Sequence, residues 1–154
     1  MDFKFTLRVQ HSQGHSEVID VTHLETDLAP IIADAKPCVV LEQLGSATPE
    51  ALEQLFLIMQ SLYRPLMRKR GASLWVHWRR DSVRDIAKGV EALCQVMAME
   101  LARKQVSVNM VSADLPLDDA RYQALEQLGA SGYITTQSLE WGDQQTTAMS
   151  GGER

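Results

Sequence analysis

The chain has 154 residues, 45% hydrophobic and 23% charged, with a net charge of −5. That is enough for one compact domain with a sizeable core, and the composition excludes a disordered or fibrous chain. No apolar run approaches the roughly 20 residues that span a bilayer. Residues 1–10 show no signal-peptide core, so cytoplasmic residence is the default expectation.

Residues 3–10 (FKFTLRVQ) alternate apolar and polar side chains, which predicts a half-buried strand. A polar turn around Gly14 leads to a second short strand over 17–21 (EVIDV). The stretch 24–35 reads as a helix with Asp27 near its start and Pro30 complicating its middle. Residues 38–44 (CVVLEQL) make the next strand, bounded by Pro37 and Gly45.

Thr48 is a good N-cap, and Pro49 suits the first position of the helix that follows. Leu52, Leu55, Phe56, Met59, Leu62, Tyr63, Leu66 and Met67 recur there at helical spacing. Pro65 kinks this helix late, and the basic residues 68–70 with Gly71 end it. A strand over 73–78 (SLWVHW) comes next. A capping box of Ser82 and Asp85 then opens a helix reaching about 103. A strand over 106–112, a helix over 118–128 and a strand over 133–141 complete the succession. Residues 1–143 form a single domain, and 144–154, polar and rich in Gly, Ser and Thr, a flexible tail. Strands alternating with helices predict an α/β fold, a three-layer sandwich with a mainly parallel sheet.

Two surface properties stand out. Between 64 and 104 there are ten Lys/Arg against four acids, so this segment carries +6 and leaves −11 to the rest. Arg64, Arg68, Arg79, Arg80 and Arg84 form a candidate docking patch for an acidic partner. Helices 49–67 and 83–103 are also too apolar for packing on one side only. Leu57 and Ile58 widen the stripe of the first; Ala92, Cys94, Ala98 and Met99 widen that of the second. Both helices are therefore expected to pack on the sheet and on another protein. Leu55, Met59, Leu62, Leu66, Val90, Leu93 and Met97 are the candidate interface residues.

The phrases GVEALCQVMAMELARKQVSVNMVSAD (89–114) and GASGYITTQSLEWGD (129–143) resemble the second half of short-chain dehydrogenases/reductases. In that family a helix ending Ala-x-Glu-Leu-Ala feeds a strand of the type (I/V)-x-V-N-x-V. A phrase Y-(I/V)-T-G-Q-x-L-x-V-D-G-G comes later. VIDVT (18–22) resembles the family's V-x-x-D-V-(T/S), whose Asp contacts the adenine, and CVVLEQLG (38–45) lies where the family has N-N-A-G. LYRPLMRKRGASLWVHW (62–78) resembles the helix and strand that normally end in I-S-S.

The resemblance implies a Rossmann-like fold, truncated at its N-terminal βαβ unit, without the family's chemistry. The Gly-rich cofactor turn is missing, since only Gly14 precedes Val18. Glu42, Gln43 and Leu44 replace N-N-A, leaving Gly45, and Asn109 fits the structural V-N-x-V position. Counting back from Glu100, the tyrosine general acid becomes Val83 and the lysine four residues on becomes Ala87. Lys88 is one residue off, about 100° around the helix. The serine position falls near His77 or Trp78, and the preceding loop shrinks to 79–82. Without a proton donor within reach, ketoreductase chemistry is not expected, and neither is a cofactor. The family's two corresponding helices commonly make a dimer as a four-helix bundle. The implied role is a catalytically inactive binding or assembly subunit, a homodimer or a heterodimer with an active ketoreductase-type protein. An acidic acyl carrier protein is a further partner. The alternative is a divergent enzyme or ligand sensor holding a nucleotide or acyl molecule at the open strand ends.

Other chemistry is thinly supported. His11, His15 and His23 lack the companions of a metal site. His77 sits where α/β active sites form, yet a structural or partner-facing role is the simpler reading. Trp75 and Trp78, three apart on a strand, point to opposite faces and make no base-stacking platform for nucleic acid. Ser46, Ser82 and Ser112 lack a nucleophile context. Cys38 and Cys94 lie in apolar runs and read as buried reduced thiols.

Overall fold

The structure, a computed structural model, describes residues 2–130 and 138–141. Its strands are β1 (Phe3–His11), β2 (Ser16–Asp20), β3 (Ala35–Gly45), β4 (Ser73–Arg79), β5 (Ser107–Ala113) and β6 (Ser138–Trp141). The helices are α1 (Ala29–Asp34), α2 (Pro49–Met67), α3 (Arg84–Leu101), continued by a 3-10 turn at Ala102–Lys104, and α4 (Asp119–Ala130). The tail and the part of the last strand expected over 133–137 lie outside the described residues, as does the domain boundary placed after 143.

The strands form one sheet in the order β2-β1-β3-β4-β5-β6. The β3–β4, β4–β5 and β5–β6 pairs are parallel, whereas β1 runs antiparallel to both β2 and β3. The sheet is thus mixed, not mainly parallel. For the β1–β2 pair the reason is local: His11 N bonds His15 O at 2.7 Å and Gly14, with φ of +106°, turns the chain back at once. A connection that short joins only antiparallel strands; a parallel pair needs a crossover of a dozen or more residues. Alternation along β1 is silent on strand direction. The hairpin also changes the meaning of VIDVT: Asp20 accepts from Thr22 N at 2.9 Å and Thr22 Oγ1 at 2.6 Å, making it a turn residue on an edge strand.

Period-two alternation sorts the sheet residues onto two faces. Phe5, Leu7, Val9, Val39, Leu41, Leu74, Val76, Trp78, Val108 and Met110 join the main core beneath α1, α2 and α3. Cys38, Val40, Trp75, Val111 and Ala113 face the other way, against Tyr122 and Leu125 of α4. The two tryptophans accordingly lie on opposite faces. Burial pushes both cysteine thiols up to about 12, and neither forms a disulfide.

Helix ends follow local chemistry with two corrections. Thr48 Oγ1 accepts from Ala51 N at 3.2 Å, capping α2 as its sequence predicts. Ser82 does not cap α3: Val83 takes that position without a side-chain bond, and the Ser82 hydroxyl is buried without a partner among the described residues. Pro30 lies in the first turn of the short α1, where its missing N–H costs nothing, and not in a helix middle.

Candidate functional site

In open α/β sheets, ligands meet the carboxyl ends of the parallel strands. Here those ends are tied together by the chain itself. Gln43 Nε2 donates to the carbonyls of Leu44, Gly45 and Ser46 at 3.0, 3.1 and 3.1 Å, and its Oε1 accepts from Arg79 N at 3.2 Å. Arg79 reaches back to Gly45 O at 3.3 Å and pairs with Asp81 at 2.9 Å. Gly45 is required where it stands: its φ is +78°, and a Cβ there would collide with the carbonyl oxygen of Asp2.

Beneath this closure, on the α4 side, sits a buried polar group. Glu42 and His77 are register partners on β3 and β4, with Oε2 and Nδ1 3.8 Å apart. Glu42 Oε2 also accepts from Leu117 N at 2.6 Å, which fastens the loop leading into α4. Burial raises the Glu42 carboxyl above its ordinary range, opposed by the Leu117 bond and Arg8. Burial, then the charge of Arg121, lowers His77 to about 4, with Asp118 opposing. Both His77 ring nitrogens are buried without a hydrogen-bond partner among the described residues.

At the remaining positions where the family resemblance calls for chemistry, the side chains do not converge. Val83 is exposed, Ala87 packs partly against the core, and Lys88 turns outward to Glu91 at 3.4 Å. The other histidine cluster is structural: His11 lies between Asp34 at 3.0 Å and Glu17 at 2.6 Å, with the His15 ring 4.5 Å away. Among the described residues no group of three or more His, Cys, Asp or Glu is placed to hold a metal ion. No helix there is long and apolar enough to cross a membrane.

The wide apolar stripes of α2 and α3 do divide between an inner and an outer face, but with different residues from those expected. Leu55, Leu62, Leu66 and Val90 are fully buried within the chain; Met59 and Met97 keep a small exposed edge and, with half-buried Leu93, line the groove between the helices. Outside stand Phe56, Leu57, Val96 and Met99, with 46, 45, 55 and 76% of their surfaces exposed. Apolar grooves of about 610 and 570 Å³ lie beside Phe56, Leu57 and Val96, the first along Leu52, Phe56, Leu57, Gly89 and Leu93. The signal for the outer face was present in the sequence. Glu53, Leu57, Gln60 and Arg64 fall at i, i+4, i+7 and i+11, one ridge of a helix.

The candidate basic patch is divided. Helix α2 descends from the carboxyl end of β3 to the amino end of β4, so Arg64 and Arg68 lie at the opposite end of the sheet from Arg79, Arg80 and Arg84. The latter group is also partly neutralised, by Arg79–Asp81 at 2.9 Å and Arg80–Asp114 at 3.6 Å. Sequence proximity misled because a βαβ crossover sends consecutive cations to opposite poles.

No family model matches the chain, and no curated protein does. Among solved structures, an acetoin dehydrogenase from Salmonella typhimurium is similar at 17% identity and a TM-score of 0.41, over 60% of this chain and 55% of that one. The chain therefore spans little more than half the length of that structure.

Proposed function

We propose that this protein is a non-catalytic relative of the short-chain dehydrogenases/reductases that serves as an assembly subunit and pairs with a second copy of itself through the outer face of α2 and α3. The observation that carries the reading is the group of four large apolar side chains, Phe56, Leu57, Val96 and Met99, exposed on neighbouring helices. Apolar side chains clustered on a surface mark a contact site more often than those scattered singly.

A second copy suits this face because its charges are self-complementary. The outer ridge of α2 begins with Glu53 and ends with Arg64, with Leu57 and Gln60 between. Two such ridges crossing antiparallel about a two-fold axis set each Glu53 against the other copy's Arg64, with the apolar residues at the centre. Loss of the tyrosine and lysine positions to Val83 and Ala87, and closure of the strand ends by Gln43 and Arg79, support a role without reductase chemistry.

Size-exclusion chromatography with light scattering at micromolar concentration is the test. A dimer is expected, with Leu57→Asp giving a folded monomer. A monomeric wild type sinks the reading, and a dimer formed only with a ketoreductase-type protein replaces the second copy as partner.

A second reading is favoured by His77, whose unpartnered ring nitrogens stand at the carboxyl end of β4. In it, the protein senses a nucleotide or acyl ligand there. A thermal-shift panel with NAD(H), NADP(H) and acyl thioesters separates the two: stabilisation by a dinucleotide favours the sensor.

A further inference from the structure

We propose that the end of the sheet where α2 and α3 finish is a docking surface for an acidic protein segment, a helix or loop displaying clustered carboxylates. Arg68 is the C-cap residue of α2, and Arg70 lies in the turn that follows. Arg103 and Lys104 lie in the 3-10 turn that ends α3. These segments are more than 30 residues apart in sequence, yet Gly71 N donates to Lys104 O at 3.1 Å, which holds the two turns side by side. Lys69, between Arg68 and Arg70, is already spent on Ala33 O at 3.3 Å at the end of α1.

The other four cations have no ion-pair partner among the described residues, whereas Arg79, Arg80 and Lys88 elsewhere are paired with Asp81, Asp114 and Glu91. Helix C-termini favour a positive charge, which accounts for a cation on each helix. It does not account for four brought together from two helix ends, where like charges repel and none of the four is held in an ion pair among the described residues. A surface of this kind gains most from a partner that brings the missing carboxylates.

The class of partner follows from what surrounds the patch. Residues outside 64–104 carry −11, so an extended nucleic acid running past the patch meets repulsion. Neither 68–72 nor 101–105 contains an aromatic residue to stack a base. A compact acidic protein surface covers the four cations without reaching the negative remainder. The inference does not depend on self-association, since none of the four residues belongs to the apolar outer face.

The experiment uses the full chain and a fluorescently labelled, Glu-rich helical peptide as probe, read by anisotropy. Binding at low salt is expected, fading toward physiological ionic strength. The double substitutions Arg70→Glu/Arg103→Glu and Arg68→Glu/Lys104→Glu should each weaken it at least about tenfold, and Arg80→Glu/Arg84→Glu should leave it within about twofold. Thermal midpoints establish that the variants are folded, and the Leu57→Asp variant should bind the peptide like wild type. Absence of binding at low salt, or equal loss from the Arg80/Arg84 pair, overturns the proposal. Tighter binding of a single-stranded oligonucleotide or of phosphatidylglycerol vesicles overturns the choice of partner.

Discussion

Glu42 and His77 face each other across neighbouring parallel strands, Oε2 to Nδ1 3.8 Å, in a site from which water is almost excluded. Burial moves the two groups toward one another, the carboxyl upward and the imidazole down to about 4. Arg8 of β1, Asp118 just before α4 and Arg121 in its first turn supply the other charges they feel.

His77 makes the fold acid-sensitive. Between pH 6.5, the ordinary value, and about 4, the unfolded chain holds a proton on this residue that the folded chain refuses. Stability therefore rises with pH through that window and falls on acidification, by up to roughly 3 kcal/mol for this group. His77→Phe should flatten that part of the profile in urea titrations at successive pH values. A profile unchanged by the substitution contradicts the assignment. Glu42 acts in the opposite sense, its raised carboxyl favouring the fold only while it keeps its proton.

Removing Glu42 tests its second task. Glu42→Ala leaves the half-buried Leu117 N–H without its acceptor, at a cost of about 1–3 kcal/mol. Glu42→Gln keeps an acceptor oxygen and relieves the buried charge, so it should cost less. Amide exchange at Leu117 reads the difference directly: protection should be lost in the alanine variant and retained in the glutamine one.

His11 gives the reverse pH dependence. Hydrogen bonding to Glu17, then to Asp34, raises its value above 6.5 against an opposing effect of burial. Its contribution is complete below 6.5 and is lost as pH rises from there through the elevated value, because in that window the folded chain holds a proton that the unfolded chain has released. The His11 ring resonances, followed by NMR, should titrate above those of an unfolded peptide. His11→Gln should abolish the alkaline loss of stability without touching the acid limb.

The inner and outer faces of the two helices separate by substitution. Leu62 is fully buried, so Leu62→Ala should destabilise the fold by about 2–5 kcal/mol. Met99 is 76% exposed, and Met99→Ala should change the fold's stability by less than about 0.5 kcal/mol while weakening self-association. Thermal melts and light scattering on the same samples distinguish the two effects. A dimer lost with Leu62→Ala but kept with Met99→Ala points to a different interface.

Much of the order of elements was legible because it is written in short-range chemistry. Thr48 and Pro49 mark the start of α2, and the alternation of FKFTLRVQ marks β1, without help from distant residues. Local signals failed where tertiary contacts outweighed them. Ser82 has a capping sequence, but its hydroxyl is buried away from the helix end, and Val83 takes the cap position instead. Gln43, which ties the ends of β3 and β4, gave no sign in the sequence, since its acceptors depend on how the chain folds back.

By itself the sequence determined which residues alternate on strands, which recur on helices, and that two helices are apolar on more than one side. Periodicity encodes these directly, at 2 and 3.6 residues. Only the tertiary structure decided the rest. It set β1 antiparallel to β3, because alternation reads the same in both directions. It turned Leu55, Leu62 and Val90 inward and Leu57, Val96 and Met99 outward, because a stripe wide enough for two partners does not say which one is the sheet. It also sent Arg79 and Arg80 to one pole and brought Arg68 and Arg70 beside Arg103 and Lys104 at the other, since crossover connections, not sequence distance, decide which charges meet.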